Sequence, residues 1–130
     1  MKNDLEMVNR KFIRMENTLR NDGRRAPKLV YICAPYDGDQ YMYFCRVHNY
    51  CLTALRESAV PVAPPLMYSS MITAYDPKAD YLERVCAHML LTVCDELWLF
   101  GDKLTPEMVE EINIANLWDI PVMTKQVIFE

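Results

Sequence analysis

Lys28-Leu-Val-Tyr-Ile-Cys-Ala34 is a short apolar run rich in β-prone residues, closed by Pro35 and Gly38. A run without alternating polar positions is what a strand covered on both faces looks like. Three more segments extend the pattern: Val60-Pro-Val-Ala63, Glu96-Leu-Trp-Leu-Phe100 and Val122–Met123, to which Gln126–Phe129 adds. Pro61 puts the second of these near a sheet edge or at its own start, since proline cannot donate to a ladder. Helical patterns lie between the strands. From Asp39 to Ser58, Phe44, Val47, Cys51, Ala54 and Leu55 share one face, and a second helix runs from Ala79 to Val93. A third begins at Thr105-Pro106-Glu107 and runs to Trp118: threonine caps the free amides, proline suits the first helical position and glutamate complements the dipole. Pro64 to Pro77, with its prolines and small polar residues, reads as a loop. Strands alternating with helices imply parallel pairing with right-handed crossovers. The expected class is α/β, a three-layer, doubly wound parallel sheet of Rossmann-like form with about four to five strands.

Ahead of this core, Leu5, Val8, Phe12, Met15 and Leu19 recur at spacings of three and four, the mark of an amphipathic helix that ends at Asn21-Asp22-Gly23. The chain thus divides into an N-terminal helix and linker, residues 1–25, and one domain, residues 26–130. The helix carries about two heptads of a coiled-coil seam, so it either folds back on its own domain or pairs with a second subunit.

Composition narrows the function. A net charge of −4 disfavours binding to a nucleic-acid polymer, which rewards a basic surface. The basic cluster of Arg20, Arg24, Arg25 and Lys28 falls in the linker and reads as a solvated connector. No apolar run approaches the roughly 18 residues of a membrane span, and the first 25 residues are too polar for a secretory signal. The expected compartment is cytoplasmic, with no membrane partner. Five cysteines without a C-x-x-C pair suit reduced thiols. Cys45, His48 and Cys51 spread around their helix and do not converge on one ion, so no metal is expected.

In an open parallel sheet, ligands bind beyond the carboxyl ends of the strands, near the point where strand order reverses. Pro35–Asp39, Pro64–Pro77 and Gly101–Thr105 should gather there. None holds a dinucleotide fingerprint, a phosphate loop or a nucleophile elbow, so no cofactor is expected. Glu111 flanks the apolar arc of Met108, Ile112 and Ala115, with Ile114 and Trp118 on its other side. Desolvation there would raise its pKa and its reactivity as base or nucleophile. Asp37 and Asp39 could reach a sugar hydroxyl, although both also serve as turn formers beside Gly38. Asn49, Asp76, Asp80 and Arg84 are further pocket candidates. Trp98 is expected to pack in the core, and His88 to take a core or surface place rather than react.

Three segments together, Tyr31-Ile-Cys-Ala-Pro-Tyr36, Cys94-Asp-Glu-Leu-Trp-Leu-Phe-Gly-Asp102 and Thr105-x-x-Met108-x-x-Glu111-Ile-x-x-Ala115 with Ile120-Pro-Val122, resemble the nucleoside 2-deoxyribosyltransferase-like superfamily. The likeness is closest to a branch common in bacteria and their phages, and covers roughly Lys28 to Thr124. It implies cleavage or transfer of the N-glycosidic bond of a (deoxy)nucleoside or nucleotide through a covalent glycosyl-glutamate. Glu111 matches the nucleophile, Tyr31 a tyrosine that orients it, and Asp95 an aspartate that protonates the leaving base. Pro35, Tyr36, Asp37, Gly38, Asn49, Asp80, Arg84, Gly101, Asp102, Thr105 and Met108 are the expected substrate-binding residues. A homo-oligomer is also implied. The chain departs from the pattern at Thr105, where the transferases carry aspartate, at Glu107, where the branch carries glycine, and at Pro65. Glu107 partly cancels the anion-favouring field of the helix end and points away from 5′-phosphorylated substrates. These departures favour an alternative, a noncatalytic nucleotide-binding module used in phage–host conflict.

Overall fold

The computed structural model describes residues 2–21 and 27–127. A helix, α1 (Lys2–Asn21), precedes the core; then follow β1 (Leu29–Cys33), α2 (Gln40–Arg56), β2 (Val60–Val62), α3 (Pro64–Tyr75), α4 (Asp80–Leu91), β3 (Glu96–Leu99), α5 (Pro106–Leu117) and β4 (Val122–Thr124). The four strands form one sheet in the order β2-β1-β3-β4, and every pair is parallel. This is the α/β, doubly wound Rossmann-like class expected from the alternation of elements. The chain moves outward from β1 to β2, then returns past β1 to build β3 and β4. The strand order therefore reverses between β1 and β3, where a crevice opens in folds of this kind.

Alternation along the two central strands sorts their side chains into two cores. Val30, Ile32, Trp98 and Phe100 pack with Val47, Tyr50 and Ala54 of α2. On that side the rings of Tyr50 and Phe100 stack at 4.4 Å and 10°. Tyr31, Cys33 and Leu97 face the other way, onto Ala87 and Leu91 of α4 and Met108 and Ala115 of α5. Trp98, 4% exposed, belongs to the core, with the Lys125 ammonium 4.1 Å from its ring centroid.

Two helix starts follow the capping chemistry of their sequences. Thr105 accepts a hydrogen bond from the Met108 amide at 3.3 Å, and Asp39 does the same for Met42 at 3.1 Å. The stretch from Pro64, expected as a loop, is instead the helix α3. Its two prolines occupy the first turn, where an amide would have no intrahelical partner, and Thr73 returns its hydroxyl to the Ser69 carbonyl at 2.8 Å. Turn-like composition is thus absorbed within a helix. Residues 125–127 continue β4 without strand structure, and Phe129 lies outside the described residues, as do Arg24 and Arg25 of the basic cluster. In α1, Leu5, Val8 and Ile13 are exposed, and the side chains of Phe12, Met15 and Leu19 lie outside the described residues. Among the described residues no helix is long and apolar enough to cross a membrane.

Candidate functional site

Tyr31 and Cys33 are two apart on β1, so both project toward α5. Glu111 lies one turn after Met108, and Met108 is anchored 2% exposed in the same core. This register points the Glu111 carboxylate back at the strand. Both the Tyr31 hydroxyl and the Cys33 thiol donate hydrogen bonds to it. Around these groups opens a cleft of about 230 Å³, walled by β1, the first turns of α2 and α3, α4 and the first half of α5.

The electrostatics of the cleft follow from burial. Desolvation raises the Glu111 carboxyl to about 7. The Cys33 and Tyr31 hydrogen bonds pull it down, and the negative charges of Glu110 and Glu107 push it up again. Burial and then the Glu111 charge hold the Tyr31 hydroxyl and the Cys33 thiol well above their ordinary values. Both therefore stay protonated and act as donors. Tyr43, from the first turn of α2, is also pushed up, by burial first and then by the Glu111 charge. Its ring meets that of Tyr36 edge-on at 5.1 Å and 77°. A carboxylate poised near neutrality, held by two neutral donors and open to a cleft, can act as nucleophile or base.

Of the residues singled out from the sequence, the structure gathers Tyr31, Tyr36, Arg84, Thr105, Met108 and Glu111 around this one cleft. Thr105 spends its hydroxyl oxygen on the helix cap. Asn49, Gly101 and Asp102 line a second cleft, of about 390 Å³, on the α2 side of the sheet. Pro35 packs on Gly101 so closely that a Cβ there would stand 2.8 Å from the proline Cδ. Asp37 pairs with Arg46 at 3.0 Å and accepts from the Asp39 amide at 3.1 Å, and Gly38 turns the chain at φ 100°. The Asp39 amide and the nearby Arg46 keep the Asp37 carboxyl below its ordinary range. These three residues, Pro35, Asp37 and Gly38, shape the loop and line neither cleft. Asp76 accepts from the Lys78 amide at 3.0 Å, in the turn before α4. Asp80 opens α4, but its side chain lies outside the described residues.

Asp95 departs from expectation. Its carboxylate accepts the Leu29 amide at 2.7 Å, and its own amide donates to the Leu29 carbonyl at 2.8 Å. Both bonds lie at the amino ends of β1 and β3. Cys33 pairs with Leu99, four residues further along, so Asp95 stands about 13 Å down the sheet from the mouth of the cleft. It ties two strands together and does not join Tyr31 and Glu111. The parallel register decides this, because it puts the residue before β3 at the edge remote from every strand's carboxyl end.

Cys33, Tyr43, Pro64 and Glu83 complete the constellation without having been singled out. Cys33 was legible from its spacing, two residues after Tyr31 on the same strand. Tyr43 and Glu83 come from other helices, and no local pattern links them to Glu111.

A search of curated proteins gave no match to the chain. A family model does match residues 28–125, from the first residue before β1 to the one after β4, and so spans the entire sheet and the cleft with it. The chain belongs to that family, described as a domain of unknown function (DUF7768).

Proposed function

We infer that the protein cleaves or transfers the N-glycosidic bond of a nucleoside, with Glu111 as the nucleophile. The observation that carries this reading is the Glu111 carboxylate, raised to about 7 and bound by Tyr31 and Cys33, in a cleft beside the β1–β3 crevice. The resemblance of Tyr31-Ile-Cys-Ala-Pro-Tyr36 and of the Glu111 helix to the nucleoside 2-deoxyribosyltransferase-like superfamily supports the same chemistry. Ionised Glu111 attacks the anomeric carbon as the carbon–nitrogen bond breaks, giving a glycosyl ester. Water or a second base then takes the sugar and frees the carboxylate. Tyr31 and Cys33 are positioning residues that hold the carboxylate oxygens in line. A homo-oligomer belongs to the same reading, since Leu5, Val8 and Ile13 of α1 are exposed and available to a second copy.

The test is to incubate the protein with each deoxynucleoside and ribonucleoside and measure free base by chromatography. Release that disappears in Glu111→Gln supports the reading; no release from any of them sinks it. A second reading, binding without turnover, is favoured by Asp95, which is engaged with Leu29 rather than placed to protonate a leaving base. Ligand-induced thermal stabilisation with no product would select that alternative.

A further inference from the structure

The cleft around Glu111 has a ring and charge pattern that N-glycosidic chemistry alone does not require. Three tyrosine rings, from Tyr31, Tyr36 and Tyr43, line it. Three carboxylates line it as well, those of Glu83, Glu107 and Glu111, while Arg84 is its single cationic side chain among the described residues. Glu107 sits in the first turn of α5, where the free amides of a helix would otherwise favour an anion. A phosphate entering here meets carboxylates, and a neutral ring gains hydrogen bonds from them at most, without net charge attraction. A cation is drawn both to the carboxylates and to the faces of the tyrosine rings.

Placement of Asp95 adds an independent constraint. A neutral base leaving a sugar carries negative charge until it is protonated, and the aspartate expected to supply that proton lies at the other end of the sheet, bonded to Leu29. A ring that is already positively charged needs no proton to leave.

We propose that the cleft takes an N-glycoside whose aglycone is a positively charged heteroaromatic ring, of the pyridinium class. This rests on Glu111 being the nucleophile. A Glu111 carboxylate oxygen bonds to the anomeric carbon, the carbon–nitrogen bond breaks, and its electron pair moves to the ring nitrogen, which leaves as a neutral base. Water then attacks the anomeric carbon of the ester, Glu111 departs as carboxylate, and one proton passes to solvent. A singly charged substrate and water thus give a neutral base, a free sugar and a proton.

The experiment uses the full chain with four probes: nicotinamide riboside, 1-methylnicotinamide as a cation lacking the glycosidic bond, thymidine as a neutral nucleoside, and nicotinamide mononucleotide as the same ring with a phosphate. Calorimetry gives the affinities and chromatography gives base release. Nicotinamide riboside should bind at least about tenfold tighter than thymidine or the mononucleotide, and 1-methylnicotinamide should compete with it. Glu107→Gln should narrow that preference. Equal or tighter binding of thymidine or of the mononucleotide overturns the proposal. Base release from neutral nucleosides without preference for the cation overturns it too, while leaving the N-glycosidase reading intact. Tight binding of the cationic probes with no base release instead overturns the nucleophile, and the substrate role with it, but leaves the recognition of cations standing.

Discussion

The hydroxyl of Tyr31, in the middle of β1, hydrogen-bonds to the carboxylate of Glu111, in the second turn of α5. Eighty residues of chain separate the two, and strand register with helix register brings them together. The bond is directional in its effect: a neutral phenol can donate to an ionised carboxylate, so Tyr31 favours the ionised form of Glu111 while burial opposes it. Cys33 adds a second donor from the same strand face. The carboxyl that results ionises near 7 instead of in the ordinary range.

If the proposed mechanism holds, base release should follow that ionisation: with the carboxylate as nucleophile, the rate should climb as pH rises through about 7 and level off above it. Tyr31→Phe and Cys33→Ala each remove a bond that lowers the Glu111 value, and each should move the rising limb of the profile to higher pH. A pH–rate series on the three proteins checks this, and limbs that coincide would argue against positioning by either residue.

Glu111→Gln should abolish turnover, by at least about a thousandfold, because no second step can proceed without the covalent ester. It should also reveal the cost of burying the charge. A carboxyl raised in the folded state contributes stability that is present below its ordinary value of 4.5 and lost as pH rises to about 7. At pH 8 the glutamine variant should therefore melt higher relative to wild type than it does at pH 5. The difference has an upper bound of about 3 kcal/mol, less whatever the two donors lose with their ionised partner. Thermal melts at the two pH values supply the comparison.

Asp95→Asn separates a strand tie from a catalytic acid. Losing a charged acceptor from the Leu29 amide should lower stability by about 1 kcal/mol. Base release, read per folded molecule, should stay within a few fold of wild type. A loss of several hundredfold with the melt unchanged would restore Asp95 to the reaction.

Gly101→Ala tests the close contact between Gly101 and Pro35. Residue 101 has φ of 90°, and a Cβ there meets Pro35 at 2.8 and 2.9 Å, inside any ordinary contact. The substitution should destabilise the fold by about 1–3 kcal/mol through backbone strain and displacement of the Pro35 ring. Chemical denaturation measures it.

Much of the architecture was legible because it follows local rules. The apolar run around Val30, the Thr105-Pro106-Glu107 start and the strand of Leu97 and Trp98 each announce their element through composition and period. The Pro64 helix misled, because two prolines and several hydroxyl residues look the same in a loop as in a proline-started helix, where Thr73 bonds back to the Ser69 carbonyl; the strand expected to include Gln126 and Val127 also ends at Thr124.

By itself the sequence determined the class of fold and the elements that carry Tyr31 and Glu111. Those properties depend on short-range periodicity and on the handedness shared by all parallel crossovers. Which side chains meet was decided by the tertiary structure alone. Strand register sent Asp95 to the amino edge and brought Cys33 to Glu111. Helix packing added Tyr43 from α2 and Glu83 from α4 to the same cleft, and the opposite face of the sheet holds Asn49 and Asp102 in another. These are contacts between elements far apart along the chain, and their geometry is set by how the cores pack rather than by any neighbouring residue.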